Sequence, residues 1–178
     1  MNPEGIVSRI AGLPNQPGDI DGTIDIARFQ LSRDSRVAVD HKANIYVSEV
    51  SRIRKITADG KVTTFKHPQI GSINDIAIDS ADNVYMADYH RNVVWQLSAN
   101  GSFATFAGNQ GVSGDQDGIG SNALFSQLYA IAVDKADQVY VIDGRALRKI
   151  SPQREVSSLY GVVGNWRFKE GSNTRLLF

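Results

Sequence analysis

The sequence predicts an all-β chain built from repeated four-stranded antiparallel units. Three observations predict it. Short runs rich in Val, Ile and Tyr alternate apolar with polar residues, the period of a half-buried strand. Turn dipeptides such as Asp59-Gly60 and Asn100-Gly101 separate the runs at hairpin spacing. The same order of strands and turns recurs three times, and no stretch keeps a helical period.

Each copy begins with a strand that closes on an aspartate: Arg36-Val37-Ala38-Val39-Asp40, Asp75-Ile76-Ala77-Ile78-Asp79 and Ala130-Ile131-Ala132-Val133-Asp134. An Asx side chain bonds nearby backbone N–H groups, so Asp40, Asp79 and Asp134 read as turn formers. The second strand is Ile45–Glu49, Val84–Asp88 or Val139–Asp143, and the third is Arg52–Ile56, Val93–Leu97 or Ala146–Ile150. The hairpin dipeptide follows in two copies; Pro152-Gln153-Arg154-Glu155 replaces it in the third. Fourth strands over 62–65, 103–108 and 156–161 complete units spanning about 31–65, 70–108 and 127–161. An orphan outer strand is expected over 6–12 and a partial loop segment over 162–178. Four antiparallel strands in roughly 40 residues is the size of one β-propeller blade. The expectation is a single propeller-type domain of about three blades, half of a six-bladed ring.

The pattern resembles the NHL repeat: Ile-Ala-Val-Asp, a turn, Val-Tyr-Val-Ala-Asp, Ile-Arg-Lys-Ile, Asp-Gly, Val-Thr-Thr. Copy two departs from it, with Trp95-Gln96 where the others carry Arg54-Lys55 and Arg148-Lys149. Ala43, Asp82 and Asp137 stand where such repeats usually place a glycine. The resemblance implies an interaction platform for proteins, and in some cases RNA.

Between copies two and three the chain carries about 16 additional residues, since Asp40 to Asp79 is 39 positions and Asp79 to Asp134 is 55. The addition has its own signature. Asp21-Gly22 and Asp117-Gly118 are each followed, seven residues after the glycine, by Phe29 and Phe125; Glu170-Gly171 and Phe178 repeat the interval. The acids Asp19, Asp21, Asp115 and Asp117 admit a calcium reading, because hard cations want clustered carboxylates. The alternative reading is a Gly-rich turn whose acids accept N–H bonds, with the Phe filling a slot between blades.

The chain has 19 basic and 19 acidic residues, a balance that argues against sequence-independent binding to nucleic acid. It has no cysteine, which removes disulfides and thiolate metal sites. Met1 to Ser8 carries no basic-then-apolar signal pattern, and no apolar run approaches a membrane span. The compartment stays open. His41, His67 and His90 lack metal-ligand spacing and read as loop histidines, and no nucleophile elbow or Walker loop occurs.

The expected function is therefore a non-enzymatic binding module with no required cofactor and a protein partner. Its working form is expected to be a homodimer or part of a longer propeller. Ser51, Arg52, Tyr89, His90, Arg91 and Arg145 are the binding-surface candidates, because they occupy matching turns and include types favoured at contact hot spots. Two alternatives remain. One is a metal-dependent hydrolase or lyase like the six-bladed gluconolactonases and amidating lyases. The other is an RNA-binding propeller using Arg52, Arg54, Lys55, Arg145, Arg148 and Lys149.

Overall fold

A computed structural model of the chain describes residues 5–160. The expected loop copy at Glu170, Gly171 and Phe178 lies outside the described residues. Three antiparallel sheets follow one another along the chain. The first contains β1 (Gly22–Thr23), β2 (Val37–Val39), β3 (Ile45–Glu49), β4 (Arg52–Ile56) and β5 (Lys61–Lys66). The second contains β6 (Ile73–Ile78), β7 (Val84–Asp88), β8 (Val93–Leu97) and β9 (Phe103–Ala107). The third contains β10 (Gly118–Ile119), β11 (Leu128–Val133), β12 (Val139–Asp143), β13 (Ala146–Ile150) and β14 (Glu155–Tyr160). The one helical turn among the described residues is a short 3-10 segment at Gly120–Asn122.

Two expectations need correction. The first and third sheets have five strands rather than four, in the orders β1-β5-β4-β3-β2 and β10-β14-β13-β12-β11. The added strands come from the Asp-Gly loops: Gly22 pairs with Val62 and Gly118 with Val156. Residues 6–12 form no strand. An outer strand needs the third strand of its own blade to pair with, and no such strand precedes it among the described residues.

Strand alternation builds the core between blades. Tyr46 and Ile53 from the first sheet meet Ile76, Met86 and Trp95 from the second. Tyr85, Val94 and Phe106 from the second meet Leu128, Ile131 and Val141 from the third. The inner strands β2, β6 and β11 lie side by side. Up-and-down winding then divides the loops between two rims. The turns after β3, β7 and β12, and the connectors between sheets, share one rim, called here the upper. The turns after β2, β6 and β11 and the third-to-fourth-strand hairpins share the other, the lower.

The lower rim is uniform. Asp40 Oδ1 accepts the backbone N–H groups of Lys42 and Asn44 at 2.9 and 2.8 Å, and Oδ2 accepts the Tyr46 hydroxyl at 3.3 Å. Asp79 does the same with Ala81, Asn83 and Tyr85, and Asp134 with Ala136, Gln138 and Tyr140. Ala43, Asp82 and Asp137 all take positive φ, at 60°, 65° and 57°. Two of them turn that strained position to use. Asp82 accepts the His41 backbone N–H at 3.0 Å and Asp137 that of Ser80 at 2.8 Å, so each ties its blade to the one before. The hairpin lacking glycine is completed by Arg154 at φ 69°, where its counterparts are Gly60 and Gly101.

Candidate functional site

The Asp-Gly loops resolve into a latch. The Arg54 guanidinium, fully buried, donates through Nη1 to Arg28 O and Glu49 Oε1 and through Nη2 to Ile20 O and Asp21 Oδ1. Its face lies 4.5 Å from the centre of the Phe29 ring. Arg148 repeats the arrangement with Leu124 O, Asp143, Gln116 O, Asp117 and the Phe125 ring at 4.7 Å. Four of the five guanidinium donors are used each time and only Nε is left without a partner. Asp21 and Asp117 also accept N–H and hydroxyl bonds from Thr64 and Ser158 on the outer strands. Burial would raise Asp117, but the Ser158 N–H and Arg148 hold it below the usual carboxylate range.

Three of the four acids offered for calcium, Asp19, Asp21 and Asp117, are engaged by cations of their own blades. A guanidinium stands within 3.1 Å of Asp21 and 2.8 Å of Asp117, where a cation would have to stand. Asp19 bonds Lys66 and Arg52, and the Lys66 ammonium chiefly holds it below the usual range. Asp115 is exposed at the matching place in the other loop. Among the described residues no three His, Cys, Asp or Glu side chains gather as a metal site. The loops lie on the outer edges of their blades, so they do not rim the inner strands.

On the upper rim the key positions are Glu49, Asp88 and Asp143, which sequence reasoning did not single out. Their signal was an acid closing every second strand. All three are buried. Asp88 accepts N–H bonds from Gly71, Ser72 and Arg91 and from the Trp95 indole at 2.9 Å. Glu49 takes the Gln30 N–H, and Asp143 those of Ser126 and Gln127. Each acid therefore fixes a connector to its blade.

The turn Tyr89–Asn92 is the longest of the three on this rim, against Val50-Ser51 and Gly144-Arg145. It is held at many points. Tyr89 N–H donates to Ser72 O at 3.0 Å, and Gly111 N–H donates to Arg91 O at 2.8 Å. The Asn92 amide nitrogen faces the carbonyls of Tyr89 and Ser126 at 3.2 and 2.9 Å. Gly71 makes the approach possible, since a Cβ there would stand 2.9 Å from the His90 Cβ. Tyr89 contacts the rings of His90 and Tyr129, at 5.6 and 5.7 Å between centroids.

The candidate residues separate accordingly. Tyr89, His90 and Arg91 project together, and His90 and Arg91 are exposed. Arg145 is exposed on the third blade's turn. Arg52 departs from expectation: its side chain is 14% exposed and is committed to Glu49 and Asp19. Beside it, Ser51 lines a cleft with Lys66, His67, Pro68 and Ile70. His67 lies in the loop after β5, as expected, with its ring packed against Trp95 and Phe103 at 5.1 and 5.7 Å. His41 keeps its lower-rim turn and bonds Asp82 through Nδ1.

No protein-family model matches the chain, and no curated protein matches it. Solved structures do. An auxiliary nutrient binding protein from Bacteroides thetaiotaomicron aligns at TM-score 0.61 and 13% identity over 78% of this chain and 38% of its own. A streptogramin B lyase aligns at 0.55 and 13% over 68% and 38%. Virginiamycin B lyase from Staphylococcus aureus aligns at 0.53 and 16% over 68% and 39%. The chain thus spans under two-fifths of each. At these identities the likeness is one of fold: the three sheets are part of a β-propeller.

Proposed function

We propose that these blades, whose repeat resembles the NHL type, form a non-enzymatic binding module that meets a protein partner on its upper rim. What supports this is the contrast between rims. On the lower rim the position that closes each inner strand is Asp40, Asp79 or Asp134, one residue type, because the turn demands it. At the upper ends of the inner strands the same positions hold Ser35, Asn74 and Tyr129, then Arg36, Asp75 and Ala130. The upper turns differ in both length and side chains. A repeated frame whose loops on one side differ in length and in side chains carries its specificity on that side. The working form proposed is not the lone chain: a second copy or further blades would cover the end sheets.

The test is affinity capture from the native source with the wild-type chain and two triple-alanine variants. Alanine at Tyr89, His90 and Arg91 is expected to lose a specific protein that alanine at the lower-rim residues Lys42, Lys61 and Lys135 retains. Equal capture by both variants would move the contact elsewhere.

A further inference from the structure

The upper rim has a chemistry that narrows the partner, an inference that rests on the reading just proposed. A line of contacts crosses all three inner strands. Arg36 approaches Asp75 at 3.9 Å, Asp75 Oδ2 accepts the Ile131 N–H at 3.0 Å, and the Asn74 amide donates to Leu128 O at 3.2 Å. Tyr129, next along that strand, is 46% exposed and meets Tyr89, which meets His90 beside Arg91. The surface so formed has an aromatic centre flanked by Arg36 on one side and Arg91 on the other. Its one carboxylate among the described residues, Asp75, is turned inward to the Ile76 and Ile131 N–H groups. Exposed cations on the wider rim are Arg33, Arg36, Lys66, Arg91 and Arg145, against exposed Asp19, Asp34 and Asp115. Lys66 and Arg33 are paired with Asp19 and Asp34, at 3.1 and 3.7 Å, so beside the tyrosines the two guanidinium groups of Arg36 and Arg91 stand against the single carboxylate of Asp75.

We propose that this surface binds an acidic protein segment through one aromatic or large apolar side chain seated on Tyr89 and Tyr129, with flanking carboxylates meeting Arg36 and Arg91. Three facts carry it. The turn is tied by backbone bonds at Tyr89 and Arg91 within the chain itself, which reduces the ordering left to binding. The half-buried Tyr89 and the exposed Tyr129 and Arg91 are of the residue types that dominate contact energies. The chain is neutral overall, so a local positive field selects an acidic partner without general affinity for polyanions.

The probes are fluorescein-labelled peptides read by polarisation: a Glu-rich peptide with one central Trp, the same peptide with Ala for Trp, and a Lys-rich peptide with the Trp. The first is expected to bind at least about tenfold more tightly than either other. Tyr89→Ala and Arg91→Glu should each weaken it by about tenfold, and added salt should weaken it further. Arg91 is exposed, and an unchanged melting curve confirms that the variants fold. Equal binding of the three peptides, or variants that bind as the wild type does, would overturn the inference. Tighter binding of a single-stranded RNA of equal charge would overturn it in favour of a nucleic acid. If no peptide binds while the Tyr89-His90-Arg91 variant still loses the captured protein, the upper-rim reading stands and the acidic chemistry falls.

Discussion

At the scale of single residues, three positions in the repeat accept a conformation that suits glycine. A non-glycine residue at positive φ costs of order 1 kcal/mol, because Cβ crowds the following carbonyl oxygen. Asp82 and Asp137 offset this with bonds across to the preceding blade, and His41 and Ser80 supply the donors. The His41 N–H holds Asp82 well below the usual carboxylate range, as the Ser80 N–H does Asp137. Ala43 has no side-chain oxygen to offer. Ala43→Gly should therefore stabilise the chain by about 0.5–1 kcal/mol, read as a raised midpoint in urea unfolding. Asp137→Gly should not stabilise, since it removes a carboxylate that two Ser80 groups use. A lowered midpoint for Ala43→Gly would show that the turn is not under the strain its φ implies.

At the scale of elements, the departure of copy two becomes intelligible. Trp95 sits where Arg54 and Arg148 sit, and its blade is the one without an Asp-Gly loop against its outer strand. Loop and arginine belong together: the loop supplies two carbonyls, a carboxylate and a Phe face, and only a guanidinium has the fork of donors to use them. Without the loop, a buried arginine would lack most acceptors, and the indole needs only Asp88. The spacing and the substitution were both legible in the sequence, but nothing there joined them, because Asp117 and Arg148 are 31 positions apart. Arg148→Ala should cost about 3 kcal/mol or more, since it leaves Asp143 buried without its cation and frees the loop. Arg148→Met, which fills the space without a charge, should cost less if Asp143 is simultaneously changed to Asn. Thermal unfolding of the single and double variants decides it; equal losses would mean that neither packing nor the stranded carboxylate sets the cost, and that the arginine acts through its bonds to the loop.

At the scale of the whole molecule, burial differs between the middle and the two ends of the row of blades. Ile76 and Ile131, equivalent by register, are 6% and 7% exposed because a preceding blade covers each. Their counterpart Val37 is 64% exposed and its neighbour Val39 58%. On the other end, Ser48 and Ala87 are 1% and 0% exposed while their counterpart Ile142 on the last blade is 38% exposed. Covering an exposed Val or Ile contributes roughly 1–2 kcal/mol, and two such faces favour association. Light scattering after gel filtration should give a mass at least twice the 19.4 kDa of the chain. Val39→Lys should lower that mass while the lone chain stays folded, because the side chain is exposed within one chain. A lone chain at every concentration would sink self-pairing and leave further blades as the proposed cover.

The sequence by itself determined the all-β class, the three copies, nearly every strand and the role of the turn aspartates. These rest on local chemistry: alternation fixes a strand's two faces, and an Asx turn is closed within four residues. Only the tertiary structure decided that Asp21 and Asp117 serve arginines, that the Asp-Gly loops add fifth strands, and that Arg52 is enclosed while Tyr89, His90 and Arg91 stand out with Tyr129. Each of those depends on groups separated by tens of residues and brought together only when blades pack. The spacing of acids along a loop says what they could bind; the strand that arrives beside them determines what they do.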